Sequence, residues 1–174
     1  MTQPGEGAPL IVTLGLDAET SAFFDALRQT HFPAERNFLA AHLTLFHRLP
    51  AAALSEIRQG LEDLSRSAAR CRLEVTGARS LGRGVAFTIR SAELLALRDG
   101  MAKRWHAWLM SQDRQRFWPH VTIQNKVRPE QAAELLRHLQ TTFVPFTAQG
   151  ERLLLWRYLN GPWELLSRYE LRTR

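Results

Sequence analysis

Cysteine is nearly absent from this 174-residue chain. Cys71 stands alone, so no intramolecular disulfide can form and a reducing compartment is expected. Long apolar runs are missing too. IVTLGL and RLLLW fall far short of the ~20 residues that cross a bilayer, and the opening MTQPGEGAP has neither the basic start nor the apolar run of a secretory signal. The expectation is a cytoplasmic protein with no membrane partner. Histidines, the one cysteine and carboxylates do not fall at metal-ligand spacing, and no carboxylate lies within 42–49 or 120–127, where three of the histidines sit in strand-like segments, so neither a metal nor another cofactor is expected. No Gly-Lys-Ser/Thr follows Gly82-Arg83-Gly84, which reads as a hairpin turn and not a phosphate loop. Acidic residues are in the minority, 17 against 23 Lys+Arg, for a net charge of +6. That balance suits a polyanionic partner such as RNA without requiring one. Apolar residues are plentiful at 45%, enough for a chain of this length to bury a core unaided.

Periodicity supplies the organisation. LIVTLGL (10–16) reads as a strand, with Asp17 as N-cap of a helix that buries Phe23, Phe24 and Leu27. HLTLFHRL (42–49) is a second strand, closed by Pro50. Apolar residues at three- and four-residue spacing predict helices over 52–67, 92–111 and 129–141, the last starting at Pro129. Strands are expected at 70–81, 85–90, 120–127, 151–159 and 163–171, the last two joined by Gly161-Pro162. HLTLFHRLP…LSEIRQGL and HVTIQNKVRP…AELLRHL share one plan of strand, proline boundary and helix. A pseudo-twofold arrangement of two halves follows, with like residues facing each other across a cleft.

Within that repeat, one pattern occurs twice: His42-Leu43-Thr44-Leu45 and His120-Val121-Thr122-Ile123, separated by 78 residues. Chance predicts on the order of 0.15 such tetrads for six histidines, so a pair arises by accident about once in a hundred chains. Strand alternation places His42, Thr44 and Phe46 on one face and His120, Thr122 and Gln124 on another, with the apolar residues behind. Two imidazoles and two hydroxyls lining one cavity suit phosphodiester chemistry. One neutral histidine can take a proton while a protonated one gives a proton back, and threonine hydroxyls can donate to phosphate oxygens. Phe46 is placed to stack on a base, and Arg48 extends the first motif's face towards a phosphate. His47 points away from His42 on this reading. Cys71 reads as a buried thiol.

The paired tetrads resemble the signature of the 2H phosphoesterase superfamily, most closely its bacterial 2′–5′ RNA ligase-like branch. The opening strand LIVTLGL, Trp118-Pro119 and the closing strand pair around Gly161-Pro162-Trp163 extend the likeness over nearly the whole chain. The resemblance implies an α+β, bilobal, pseudo-twofold fold, with two antiparallel sheets flanked by helices around a central groove. It implies one domain spanning 1–174, made of two intimately packed lobes with one motif each. The activity implied is metal-independent opening of 2′,3′-cyclic phosphates, or cleavage and joining of 2′–5′ RNA linkages. His42 and His120 would be the acid–base pair and Thr44 and Thr122 the phosphate ligands. A basic residue beyond the second motif is also implied, for which Lys126 is the candidate, on the same strand face as Gln124. The partner would be RNA or a nucleotide with a cyclic or 2′–5′ phosphate, and the protein a monomer. Two alternatives keep the same groove: a non-catalytic module that binds RNA ends, and a phosphodiesterase for small cyclic or 2′–5′ nucleotides.

Overall fold

The computed structural model describes residues 7–174, so the Gly/Pro-rich opening falls largely on residues outside the described ones. The elements run β1 (Leu10–Leu16), α1 (Ala18–His31), β2 (Leu43–Leu49), α2 (Leu54–Ser67), β3 (Cys71–Ser80), β4 (Val85–Arg90), α3 (Ala92–Arg104), α4 (Ser111–Arg114), β5 (His120–Gln124), α5 (Pro129–Thr142), β6 (Phe146–Tyr158) and β7 (Trp163–Glu170). The repeat is larger than the strand–proline–helix unit read from the sequence. β1-α1-β2-α2-β3 corresponds to β4-α3-β5-α5-β6, and the caps correspond as well. Asp17 accepts the Thr20 amide at the start of α1, and Ser91 accepts the Leu94 amide at the start of α3.

All pairings between these strands are antiparallel, in the order β2-β1-β6-β3-β4-β5, with β7 also on β6. The two expected sheets are therefore continuous. They join along β6, whose first residues pair with β3 and whose later residues pair with β7, while β1 lies along its other edge. β6 starts earlier than the sequence pattern indicated, because FTAQG alternates with small residues. Gly150 is one of them, and a side chain there would overlap Leu14. Each motif strand, β2 and β5, ends one half of the sheet, and the sheet curls enough to bring the two together. One apolar cluster fills the space behind it, from Leu10 and Val12 through Phe24, Phe87 and Trp105 to Leu155.

The single helix expected over 92–111 is broken. α3 ends at Arg104, a short 3-10 turn covers His106–Trp108, and α4 follows. Two bonds from the Arg114 guanidinium, to the carbonyls of Leu109 and His106, satisfy backbone groups freed by the break. The break turns Asp113 back towards β2, where its carboxylate accepts the amides of His47 and Arg48.

Candidate active site

The two tetrads occupy equivalent places and are built alike. His42 Nδ1 lies 2.9 Å from the Ala40 carbonyl, and His120 Nδ1 lies 2.7 Å from the Trp118 carbonyl. A carbonyl only accepts, so each Nδ1 carries the proton and each Nε2 is left with its lone pair, free for proton exchange. Each ring also rests on a tryptophan. His42 lies 4.7 Å from Trp163, and His120 stacks on Trp118 at 4.2 Å. Thr44 and Thr122 are half-buried, and neither hydroxyl hydrogen-bonds to another described residue. Thr13 differs: it is fully buried beside Thr44, and its hydroxyl accepts the Trp156 indole N–H at 2.9 Å.

Alternation fails just after each motif, and at the same position. Thr44 pairs with Thr13 but Phe46 with Val12, and likewise Thr122 pairs with Ala86 but Gln124 with Val85. At this point each motif strand thus carries one extra residue, a β-bulge, and β2 slips once more before Leu49. The bulges turn Phe46 and Gln124 inward, to 0% and 2% exposure. This corrects the cleft-face reading of both. Phe46 meets Trp105 edge-on at 5.2 Å, where it cannot stack on a base. The Gln124 side-chain oxygen is buried with no partner among the described residues. Arg48 is exposed and lines a separate cavity of about 670 Å³ with Pro9, Pro50 and Trp108. Lys126 is not on the strand face at all. β5 ends at Gln124, and Lys126 sits exposed in a left-handed turn at φ 59°. Gly84 makes that turn possible, since a side chain there would overlap the Gln124 carbonyl.

Two buried arginines brace the motif strands from the opposite half. Arg28 of α1 donates to the Thr122 carbonyl at 2.8 Å, and Arg98 of α3 donates to the Leu45 carbonyl at 3.2 Å. They are 4% and 8% exposed, with aromatic rings under their guanidinium faces: Phe32 at 4.2 Å and Phe46 at 4.4 Å. The sequence reading missed both, and it also misplaced His47. Beyond the bulge His47 is exposed, and its ring Nδ1 is held at 2.9 Å by the buried Asp113.

Electrostatics tie these groups into one neighbourhood. Burial pushes the His42 pKa down to about 4. The Ala40 carbonyl opposes this, while the charges of Arg28, His120 and His47 add to it. Burial also lowers His120, against the Trp118 carbonyl and with help from His47 and Arg79. Both imidazoles therefore rest neutral at pH 7. Burial raises the Cys71 thiol to about 11, which makes it no nucleophile. Among the described residues, no three His, Cys, Asp or Glu side chains gather as metal ligands, and no helix is long and apolar enough to cross a membrane.

No curated protein matches the chain significantly. The family model of the 2′–5′ RNA ligase superfamily matches residues 16–162. The chain belongs to this superfamily. Solved structures agree on the fold. TT0787 of Thermus thermophilus superposes with a TM-score of 0.69 at 18% identity, over 95% of this chain and 99% of that one. E. coli LigT complexed with 3′-AMP gives 0.62 at 22% identity, over 97% and 99%. A protein described as a phosphoesterase gives 0.63 at 23% identity, over 96% and 99%. Membership of the 2′–5′ RNA ligase superfamily, and with it a phosphoesterase- or RNA ligase-like function, agrees with the resemblance read from the paired tetrads. Within that family frame, both tetrads fall inside the matched span, as do Arg28, Arg98 and Asp113, which the strand pattern alone could not locate.

Proposed function

We propose that this chain opens 2′,3′-cyclic phosphates at RNA ends, with His42 and His120 exchanging protons and Thr44 and Thr122 holding the phosphate. The observation that carries this reading is the mirrored construction of the two motifs. Two neutral imidazoles, each fixed through Nδ1 and each able to use Nε2, end the two halves of a sheet that curls them together. In the proposed step, His42 Nε2 removes a proton from water as its oxygen attacks phosphorus. A phosphorus–oxygen bond to the ribose breaks, and the departing oxygen takes the proton held by His120 Nε2. The product is a phosphomonoester, and the histidines then exchange the proton back through solvent. His42 takes the base role because its pKa, about 4, keeps it unprotonated across the neutral range. His120 takes its proton on arrival of the anionic phosphate, which favours the imidazolium. The hydroxyls of Thr44 and Thr122 donate to the non-bridging oxygens as charge builds there. Proton transfers of this kind contribute about 10²–10⁴-fold each.

LigT is described in complexes with 3′-AMP, phosphate, ATP and NADP+, which favours a nucleotide ligand for the same fold. The test is turnover of 2′,3′-cyclic nucleotides and cyclic-ended oligonucleotides in the presence of EDTA. Activity is expected, and is expected to fall by about 10² or more in His42→Ala and in His120→Ala. A well-folded protein that binds RNA ends but opens no cyclic phosphate would replace this reading with that of a binding module.

A further inference from the structure

A cavity of about 1150 Å³ has neither His42 nor His120 in its wall. It begins immediately beside one of them. Thr88, the cross-strand partner of His120, stands in its wall together with Trp118. Antiparallel partners share a face, so the row His120–Thr88–Gly77 and the row Thr122–Ala86–Arg79 continue the catalytic face across β4 onto β3. Arg90, two residues beyond Thr88, lies on that face too. From β5 to β3 is two strand spacings, about 10 Å, a reach covered by the first few nucleotides of a strand.

The cavity is strongly cationic once internal pairs are removed. Asp99 is paired with Lys103 at 2.8 Å, and Asp113 is turned to the amides of His47 and Arg48. Arg98 and Arg114 are bound to backbone carbonyls. Arg79, Arg90 and Arg116 remain, all exposed and in no ion pair among the described residues, with Glu74 opposite Arg90 on β3. Arg79 has a further tie to the site. Its guanidinium lies 4.4 Å over Trp118, whose ring is itself stacked on His120. With those neighbours against it, Trp118 is a wall and not a stacking platform.

We infer that this cavity is the binding track for the RNA strand on the 5′ side of the reacting phosphate, with Arg90 and Arg116 meeting its backbone phosphates. The inference rests on the proposed cyclic-phosphate reaction. A 2′,3′-cyclic phosphate is the last group of its strand, so the chain leaves the histidines in one direction only. A single basic track beside His120 meets that geometry, and its continuity with the site favours nucleic acid over an acidic peptide.

The test is the double variant Arg90→Gln/Arg116→Gln, which alters two exposed side chains and leaves Arg79 on Trp118. KM for an oligonucleotide ending in a 2′,3′-cyclic phosphate should rise about tenfold at low salt, as for the loss of two exposed ion contacts. The slope of its log affinity against log salt should become shallower by about 1.4, at about 0.7 per phosphate contact on a single strand. Turnover of the cyclic mononucleotide should not change. Equal effects on both substrates, or none on either, overturn the inference. If the wild-type protein opens neither substrate, the proposed reaction falls. Anisotropy of a 5′-labelled single strand then still reads the track, with weaker binding by the variant upholding it and equal binding overturning it. An oligoglutamate peptide that competes as well as RNA would assign the cavity to a protein partner and overturn it as well.

Discussion

Holding His42 neutral has a consequence for stability that acid exposes. Its pKa is pushed from 6.5 to about 4 in the folded protein, while in the unfolded chain it titrates near 6.5. Between those values the unfolded state binds the extra proton, so acid favours unfolding. The contribution of this group is thus undiminished above pH 6.5, declines as the pH falls towards 4, and falls no further below that. At pH 4.5 the loss is on the order of 2–3 kcal/mol, from about 1.4 kcal/mol per pKa unit. His42→Asn removes the titration, and its side-chain amide can still donate to the Ala40 carbonyl. Urea unfolding followed by circular dichroism at pH 7 and pH 4.5 would measure the effect for both proteins. His120 and the carboxylates titrate in both and largely cancel in the comparison. The wild type should lose about 2–3 kcal/mol more than the variant between the two pH values. Equal losses, within about 0.5 kcal/mol, would refute the claim that burial keeps this imidazole neutral.

Three further substitutions probe the frame around the histidines. Asp113→Ala leaves the partly buried amides of His47 and Arg48 without their acceptor, a loss of about 3 kcal/mol at roughly 1–3 per group. Calorimetry should show a melting temperature about 6–12 °C lower, and a change under 2 °C or so would remove Asp113 from this role. Gly84→Ala drives a methyl into the Gln124 carbonyl and to 2.7 Å from the Asn125 Cα. Backbone cannot rotate aside, so a cost of about 1–3 kcal/mol is expected. Turnover should fall by more than KM rises, because the second motif strand is displaced; unchanged kcat would count against this. Arg28→Gln cuts the bond to Thr122 and removes a charge that depresses His42. The His42 pKa should therefore move up in an NMR titration, and an unmoved or lower value would contradict the charge's assigned effect.

What the sequence made legible was periodic or repeated. Leu54, Ile57, Leu61 and Leu64 announced α2, Pro129 marked the first residue of α5, and the doubled tetrad marked both strand ends of the site. What stayed hidden depends on partners elsewhere in the chain. The bulge that buries Phe46 is a property of the pairing between β2 and β1, since LTLFHRL by itself alternates well enough to be read straight through. The extra residue turns over the side chains that follow it, in β2 only until a second slip before Leu49, which is why His47, read as facing away, emerges next to Asp113, and why Gln124 disappears into the core. Arg28 and Arg98 act on carbonyls 94 and 53 residues distant. A side chain that serves a backbone atom leaves no pattern around the residue it serves.

The internal symmetry also sets which features must match between the halves and which need not. Reversible proton transfer requires two groups that exchange roles, and the scaffold provides them as equivalents: the same carbonyl-held imidazole, the same free hydroxyl, the same bulge, and a buried arginine brace from the other half. A nucleic acid strand has direction, so its binding cannot be symmetric. The surroundings of the histidines divide accordingly. Beside His42 stand Trp163 and, 6.0 Å further, Trp156, while beside His120 stands Trp118, backed by Arg79 and opening onto Arg90 and Arg116. The net charge of +6 therefore matters less by its size than by its placement. Two of the arginines are buried as braces, and three exposed ones with no ion pair among the described residues gather in the cavity beside His120. On the proposed reading, the symmetric residues carry the chemistry and the asymmetric ones orient the strand, so exchanging Arg90 and Arg116 should change substrate preference while leaving the proton transfers intact.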